Sequence, residues 1–382
     1  MPDHSEPAFE VEARPTPGLG GRTCVPTVVV VPTFRRPHLL SALLSDVAAQ
    51  SLPPAAVVIV DGESHGSTTL ASLRALACTP WPIYYLRSNH ANLAYQRYLG
   101  WLAVQQLDAN LLLYLDDDLQ IHDRESVNQL IQPLVSGDGN VVGTTGTIRF
   151  PCSSPATLGA SEALRRHLPG TALLQSLIHA VRPPARAGEL TPSGYRVPYA
   201  SDPIEPVPVG SLPGGVMALK MAAISDSIFS DALFTMCSLG FGHGEDTVLS
   251  RRLHSRGALF LVPGAVFHHP NTDSPKAYAT EAFRLGMGVA WSRRLINTNF
   301  RWPGRPTLAD RSHLLGAYVL GSCLHALSAL ASLRRDRARY ALGYVIGSFR
   351  GLIQPPSAAS GRTRINWRMD AQTAIRRLHQ VR

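Results

Sequence analysis

LLLYLDDDLQI, residues Leu111 to Ile121, decides how the rest of the chain is read. Leu111 to Leu115 are all apolar or aromatic and run straight into Asp116, Asp117 and Asp118. A buried strand that ends in three carboxylates is costly unless something neutralises them. Carboxylates two apart at a strand end can hold a hard divalent cation, which in turn holds phosphate oxygens. That points to an enzyme handling a nucleotide diphosphate. The competing reading is a solvated acidic turn after a core strand.

The flanking sequence supplies the sheet. TVVVVPTF, Thr27 to Phe34, is a continuous run of strand formers, which fits a parallel strand buried on both faces. Leu39, Leu40, Leu43, Leu44 and Val47 then recur at helical spacing, with Pro37 near the helix start. AVVIVDGES, Ala56 to Ser64, reads as a second buried strand ending at Asp61. A short strand is expected at Pro82 to Leu86, and a helix from about Leu93 to Gln106. Strand and helix in alternation predict a doubly wound, mostly parallel α/β sheet flanked by helices. Ligands on such sheets bind at the carboxyl ends of the strands, where Asp61 and Asp116–Asp118 fall.

The chain has 382 residues, 45% hydrophobic and 16% charged, enough for a large core. Five scattered cysteines carry no metal spacing, imply no disulfide framework and fit a reducing cytoplasm. Residues 1–24 are polar, lack a secretory pattern and read as a disordered lead-in. The net charge of +9 is uneven. From Arg284 onward 17 arginines face three aspartates, giving +14, against −5 before it. A basic end on a mildly acidic body suggests anionic lipid head groups or a phosphate-bearing substrate as partner. No nucleic-acid motif is present, and none is expected as partner.

The organisation expected is a main domain over 25–300, a membrane-associating helical region over 301–354 and a loosely ordered basic tail over 355–382. Residues 151–210, with ten prolines, read as a loop-rich insertion of the kind that forms lids. Gly214 to Leu219 resume a buried strand. FGHGEDTVLSRRLHSRG, Phe241 to Gly257, is a glycine turn opening into a helix. ALFLVPGAVFHHP, Ala258 to Pro270, reads as a short strand pair ending in His268 and His269. Leu314 to Leu333 holds no charge over 20 residues, just long enough to span a bilayer. Tyr340 to Ile353 is a second apolar helix. A C-terminal helical hairpin follows, either spanning or lying at the interface.

These motifs together resemble family 2 glycosyltransferases of the GT-A fold, over about Thr27 to Arg294. VVVVPTFRR resembles the family's opening strand and turn, LYLDDD its metal-binding DxD element, and GHGEDTVLSRRL its acceptor-side ED element. The family often has Asn then Arg where this chain has Arg35 and Arg36. The resemblance implies Mg2+ or Mn2+ held by Asp118 and Asp116, with His269 completing the shell. It implies donor-nucleotide contacts from Pro32, Thr33, Phe34, Arg36, Asp61, Arg97, Asp116 and Asp117. Asp246, or next to it Glu245, is the implied catalytic base, and acceptor contacts fall to Gly214, Gly215, Gly242, His243 and Gly244. No QxxRW sequence is present, which argues against a processive polymerase.

The expected function is inverting, metal-dependent transfer of a sugar from a nucleotide diphosphate sugar to a glycan or polyprenyl-linked acceptor. The expected place is the cytoplasmic face of the plasma membrane, in envelope or extracellular polysaccharide synthesis. A nucleotidyltransferase, or a non-catalytic scaffold binding nucleotide or membrane, is the alternative. The missing glycine-rich phosphate loop counts against the first, and the intact LDDD and GHGED elements against the second.

Overall fold

The computed structural model describes residues 25–63, 67–75, 79–136, 139–149, 188, 203–242, 244–270, 282–284, 286–292, 295, 335–353 and 366–380. The lead-in, most of the 151–210 insertion, His243 and the Leu314–Leu333 run lie outside these.

The first half alternates β1 (Thr27–Thr33), α1 (Pro37–Ala48), β2 (Ala56–Asp61), α2 (Ser67–Ala75), β3 (Ile83–Arg87), α3 (Leu93–Val104) and β4 (Leu111–Leu115). Then come α4 (Ser126–Ser136), β5 (Val141–Arg149), β6 (Val207–Val209), β7 (Val216–Lys220), α5 (Asp231–Ser238), α6 (Glu245–His254) and β8 (Ala258–His268). Near the C-terminus lie α7 (Arg335–Ile353), α8 (Trp367–Ile375) and β9 (His379–Gln380). The nine strands of the described residues form one sheet in the order β6-β8-β5-β7-β4-β1-β2-β3-β9. β1, β2, β3, β4, β5 and β8 point one way; β6, β7 and β9 run against them.

The apolar runs become strands with both faces covered, as period-2 geometry requires. In β1, Val28 and Val30 face one core and Val29 and Val31 the other. β4 divides likewise, with Leu112 and Tyr114 on one side and Leu111, Leu113 and Leu115 on the other. The first core takes α3, α5, α6 and α8; the second takes Leu40, Leu43, Leu44 and Val47 of α1 and Leu130, Ile131 and Leu134 of α4. At Gly100 an added Cβ would stand 2.3 Å from Val30 Cγ1. Glycine there lets α3 lie directly on β1, and Arg97 on the preceding turn is carried toward the strand ends.

Three expectations are corrected. Ala258 to His268 is a single long strand, not a pair. Pro263 and Gly264 fall where the register on β5 jumps from Gly146↔Val262 to Thr147↔Val266, so they form a bulge and not a turn. The helix expected from Tyr340 begins already at Arg335. It packs by glycine: a Cβ at Gly347 would lie 2.1 Å from Phe283 O, and one at Gly286 2.2 Å from Tyr344 O. The tail is not loose over 366–380. Asn366 caps α8 at Met369 N, Trp367, Ala371 and Ala374 face the core at helical spacing, and β9 pairs with β3. Trp367 packs its ring against His90, Tyr95 and Phe234 at 4.8, 5.0 and 5.6 Å.

Candidate active site

The sheet reverses its strand order between β1 and β4, where a crevice opens at the carboxyl ends. The two strand ends are joined there: Thr33 Oγ1 donates to Asp117 Oδ2 over 2.7 Å in a buried contact. Arg36, in the turn after β1, brings Nη1 to 2.8 Å from Asp118 Oδ2 and 3.4 Å from Asp117 Oδ1. His269, just past β8, reaches the same acid from the other side, with Nε2 3.4 Å from Asp118 Oδ1. Its Nδ1 lies 3.1 Å from Pro270 O. When the Nδ1 proton donates to that carbonyl, Nε2 is the bare nitrogen that a metal ligand needs.

A second set of acids meets the first through one guanidinium. Arg97 on α3 is fully buried. It donates from Nη1 to Glu245 Oε1 over 2.5 Å, and from Nη2 to Asp116 Oδ1 at 3.1 Å and Gly214 O at 2.7 Å. Burial alone would lower its basicity, but Asp116, Glu245 and Asp246 together hold it above the usual arginine value. Burial holds the carboxyls of Asp116 and Asp117 up, against the cations beside them. Glu245 is pushed up to about 7 by burial, which outweighs Arg97, because Asp246 and Asp116 crowd the same cation. Asp246 begins α6 beside it and keeps a partly open edge. Its Oδ2 accepts from Gly214 N at 3.1 Å and its Oδ1 from Thr247 N at 2.7 Å.

The remaining expected residues divide. Pro32 is a buried strand residue, and Phe34 stands 41% exposed at the crevice rim. Gly215 abuts Asp116, whose N–H donates to its carbonyl over 3.0 Å. A Cβ on Gly214 would crowd Asp246 Cβ at 3.1 Å and Arg97 Nη2 at 3.3 Å, so that glycine serves close packing. Gly244 takes φ +89 as the cap of α6, a left-handed turn that favours glycine. Gly242 packs on Cys237. His243 lies outside the described residues. Two residues expected at the donor nucleotide are enclosed by protein groups. Asp61 is fully buried, accepting from Tyr85 Oη at 3.0 Å and Glu63 N at 2.9 Å, and Arg97 is enclosed among its own partners. Both read as strand-end or helix polar residues in sequence, and only the packing shows where their hydrogen bonds go.

Sequence reasoning missed Gln96, whose Nε2 donates to Thr33 O and Val60 O, both at 2.8 Å, tying α3 to two strand ends. It also missed the rim pair of Arg35 and Glu63 at 3.3 Å. Arg35 has φ +58. Asn adopts that region far more readily than Arg, which explains the residue usual there in the family it resembles.

Among the described residues no three His, Cys, Asp or Glu side chains converge as a ready-made cation cage. Asp118 with His269 offers one hard oxygen and one imidazole. A site of one or two protein donors completed by substrate phosphates suits Mg2+ or Mn2+.

The doubly wound sheet, with acids from β4 and α6 gathered at its switch point, has the arrangement of the GT-A fold. Residues 28–172 match the model of glycosyl transferase family 2. Among solved structures it resembles a mannosyltransferase from Pyrobaculum calidifontis, in complex with GDP-Man and Mn2+. The two share 14% identity with a TM-score of 0.50, covering 86% of this chain and 88% of that one. A mycobacterial protein of the same 14% identity aligns at TM-score 0.37, over 70% of this chain and 74% of its own. No curated protein matches the sequence.

Proposed function

We propose that this protein is a glycosyltransferase that moves a sugar with inversion from a nucleoside diphosphate sugar to a hydroxyl of a glycan or polyprenyl-linked acceptor, with Mg2+ or Mn2+ bound. The observation that carries the reading is the bridge at Arg97. One buried guanidinium holds Asp116 at the end of β4 and Glu245 at the start of α6. A donor lying on the β4 acids therefore meets an acceptor lying on α6 at a fixed distance, which is what direct displacement needs.

In this reading Asp246 is the base. It is the less buried of the two acids that open α6, and Gly214 N–H fixes its carboxylate. As the acceptor oxygen bonds to the anomeric carbon, Asp246 takes the hydroxyl proton and the bond to the diphosphate breaks, releasing nucleoside diphosphate. Glu245 is committed to Arg97 and keeps the pair aligned. Asp118 and His269 would hold the cation, which would supply positive charge for the departing diphosphate. Thr33 positions Asp117, and Phe34 and Arg36 border the nucleotide. The similar mannosyltransferase is described with GDP-Man and Mn2+, in line with a donor and cation of this kind.

Location at the inner membrane face is part of the proposal. Its support is the +14 charge after residue 283 and the exposed Leu342 and Ile346, one turn apart on α7. No described helix is long and apolar enough to cross a membrane. The test is a panel of nucleoside diphosphate sugars with Mn2+ and detergent-dispersed polyprenyl phosphate or oligosaccharide acceptors. Release of a nucleoside diphosphate that depends on both cation and acceptor is expected. Release of pyrophosphate instead would point to a nucleotidyltransferase.

A further inference from the structure

We infer that Arg36 is a built-in counter-cation of the acidic strand end, one that the divalent metal must displace and that then passes to the donor's diphosphate. The inference rests on the proposed reading of Asp118 as a metal ligand. The two oxygens of Asp118 face different partners: Oδ1 faces His269 Nε2, and Oδ2 accepts from Arg36 Nη1 at 2.8 Å. The same Nη1 lies 3.4 Å from Asp117. Arg36 thus stands in the place from which a cation would reach both acids. A dication bound to Asp118 would lie within about 5 Å of that guanidinium, too close for two positive charges to share the carboxylate.

Arg36 is built to leave. Its side chain is 46% exposed, and its partners are two carboxylates at the crevice floor. Arg97, equally close to an acid, is wholly enclosed and has nowhere to go. An arginine freed at the rim carries a planar fork that matches diphosphate oxygens. Metal and nucleotide then bind in a linked way: the nucleotide draws off the competitor of the metal, and the metal frees a ligand of the nucleotide.

The opposite role is equally concrete. If Arg36 merely orients the acids, its removal weakens metal binding. The full chain and its Arg36→Gln, Arg36→Lys and Asp118→Asn variants would be titrated with Mn2+ alone, following free Mn2+ by electron paramagnetic resonance. GDP and UDP would then be titrated at saturating Mn2+. Arg36→Gln should bind Mn2+ about two- to fivefold more tightly than the wild type, the range of a partly exposed ion pair. It should bind the preferred nucleoside diphosphate more weakly. Arg36→Lys, which keeps the charge, should stay near wild type toward Mn2+. Mn2+ affinity unchanged or weakened in Arg36→Gln, or strengthened equally in Arg36→Lys, would overturn the inference and leave the metal site standing. A wild type that holds Mn2+ no better than Asp118→Asn would remove the metal reading itself, and the inference with it. Circular dichroism of each variant separates these outcomes from misfolding.

Discussion

Arg97 Nη1 lies 2.5 Å from Glu245 Oε1, and the two residues are 148 positions apart in the chain. The same guanidinium serves Asp116 and the carbonyl of Gly214. Removing one partner of a buried ion pair strands the other charge in a low-dielectric interior, at about 3–5 kcal/mol. Arg97→Met should therefore lower the unfolding free energy by about that much, read from the midpoint of urea denaturation. Arg97→Lys should recover little, because a lysine ammonium lacks the fork that reaches three acceptors. A loss below about 1 kcal/mol in Arg97→Met would mean the acids shed their charge at no cost.

Glu245 gives that network a pH signature. Its carboxyl is raised by burial from an ordinary 4.5 to about 7 in the folded protein. Between these values the folded state keeps a proton that the unfolded chain has lost. The stability tied to that proton is fully present below about pH 4.5 and disappears as the pH rises through about 7. The stability of the wild type relative to Glu245→Gln should thus decline across this window, by no more than about 1.4 kcal/mol per pH unit. Chemical denaturation of both proteins at half-unit steps measures it. A difference that stays flat, or grows with pH, would show that Glu245 is ionised throughout.

The two acids that open α6 should separate in activity. Asp246→Asn removes the proposed base while keeping an oxygen for Gly214 N–H, so turnover should fall by about 10²–10⁴. Protection by Mn2+ and nucleoside diphosphate in thermal unfolding should persist, since the donor acids are untouched. Glu245→Gln should cost less turnover and more stability. If Glu245→Gln abolishes turnover and Asp246→Asn spares it, the assignment of base and anchor is reversed.

The strands that carry this site were legible because burial on both faces leaves an unbroken apolar run, as at Val28–Val31 and Leu111–Leu115. The acids stood out because charge directly after such a run is rare. What remained hidden depends on distant neighbours. Nothing in YQRY tells that Gln96 will bind two strand ends, or that Arg97 will be sealed between Asp116 and Glu245. Asp61 looks open at a strand end until Tyr85, 24 positions later, closes over it. Pro263-Gly264 carries a turn signal that the pairing with β5 overrides as a bulge. The tail misled for a related reason. Its basic composition masked a three-residue apolar stripe, Trp367, Ala371 and Ala374, sufficient to dock a short helix.

Trp367 makes that docking testable. Its indole is buried among His90, Tyr95 and Phe234. The next residue, Arg368, lies over the Tyr98 ring at 4.7 Å and donates to Tyr98 Oη at 2.7 Å. Tyr95 and Tyr98 flank Arg97 on α3, so the C-terminal helix braces the segment that holds the acid network. Emptying such a site by Trp367→Ala should cost about 3–5 kcal/mol, and Trp367→Phe much less. Arg376 and Arg377, at the end of α8, should then be cut by trypsin faster than in the wild type, because a helix released from its core frays. Activity should fall along with this, through loosened α3, and should return in Trp367→Phe. A Trp367→Ala protein with unchanged urea midpoint and unchanged cleavage at these arginines would mean that α8 rests on the domain without bracing it.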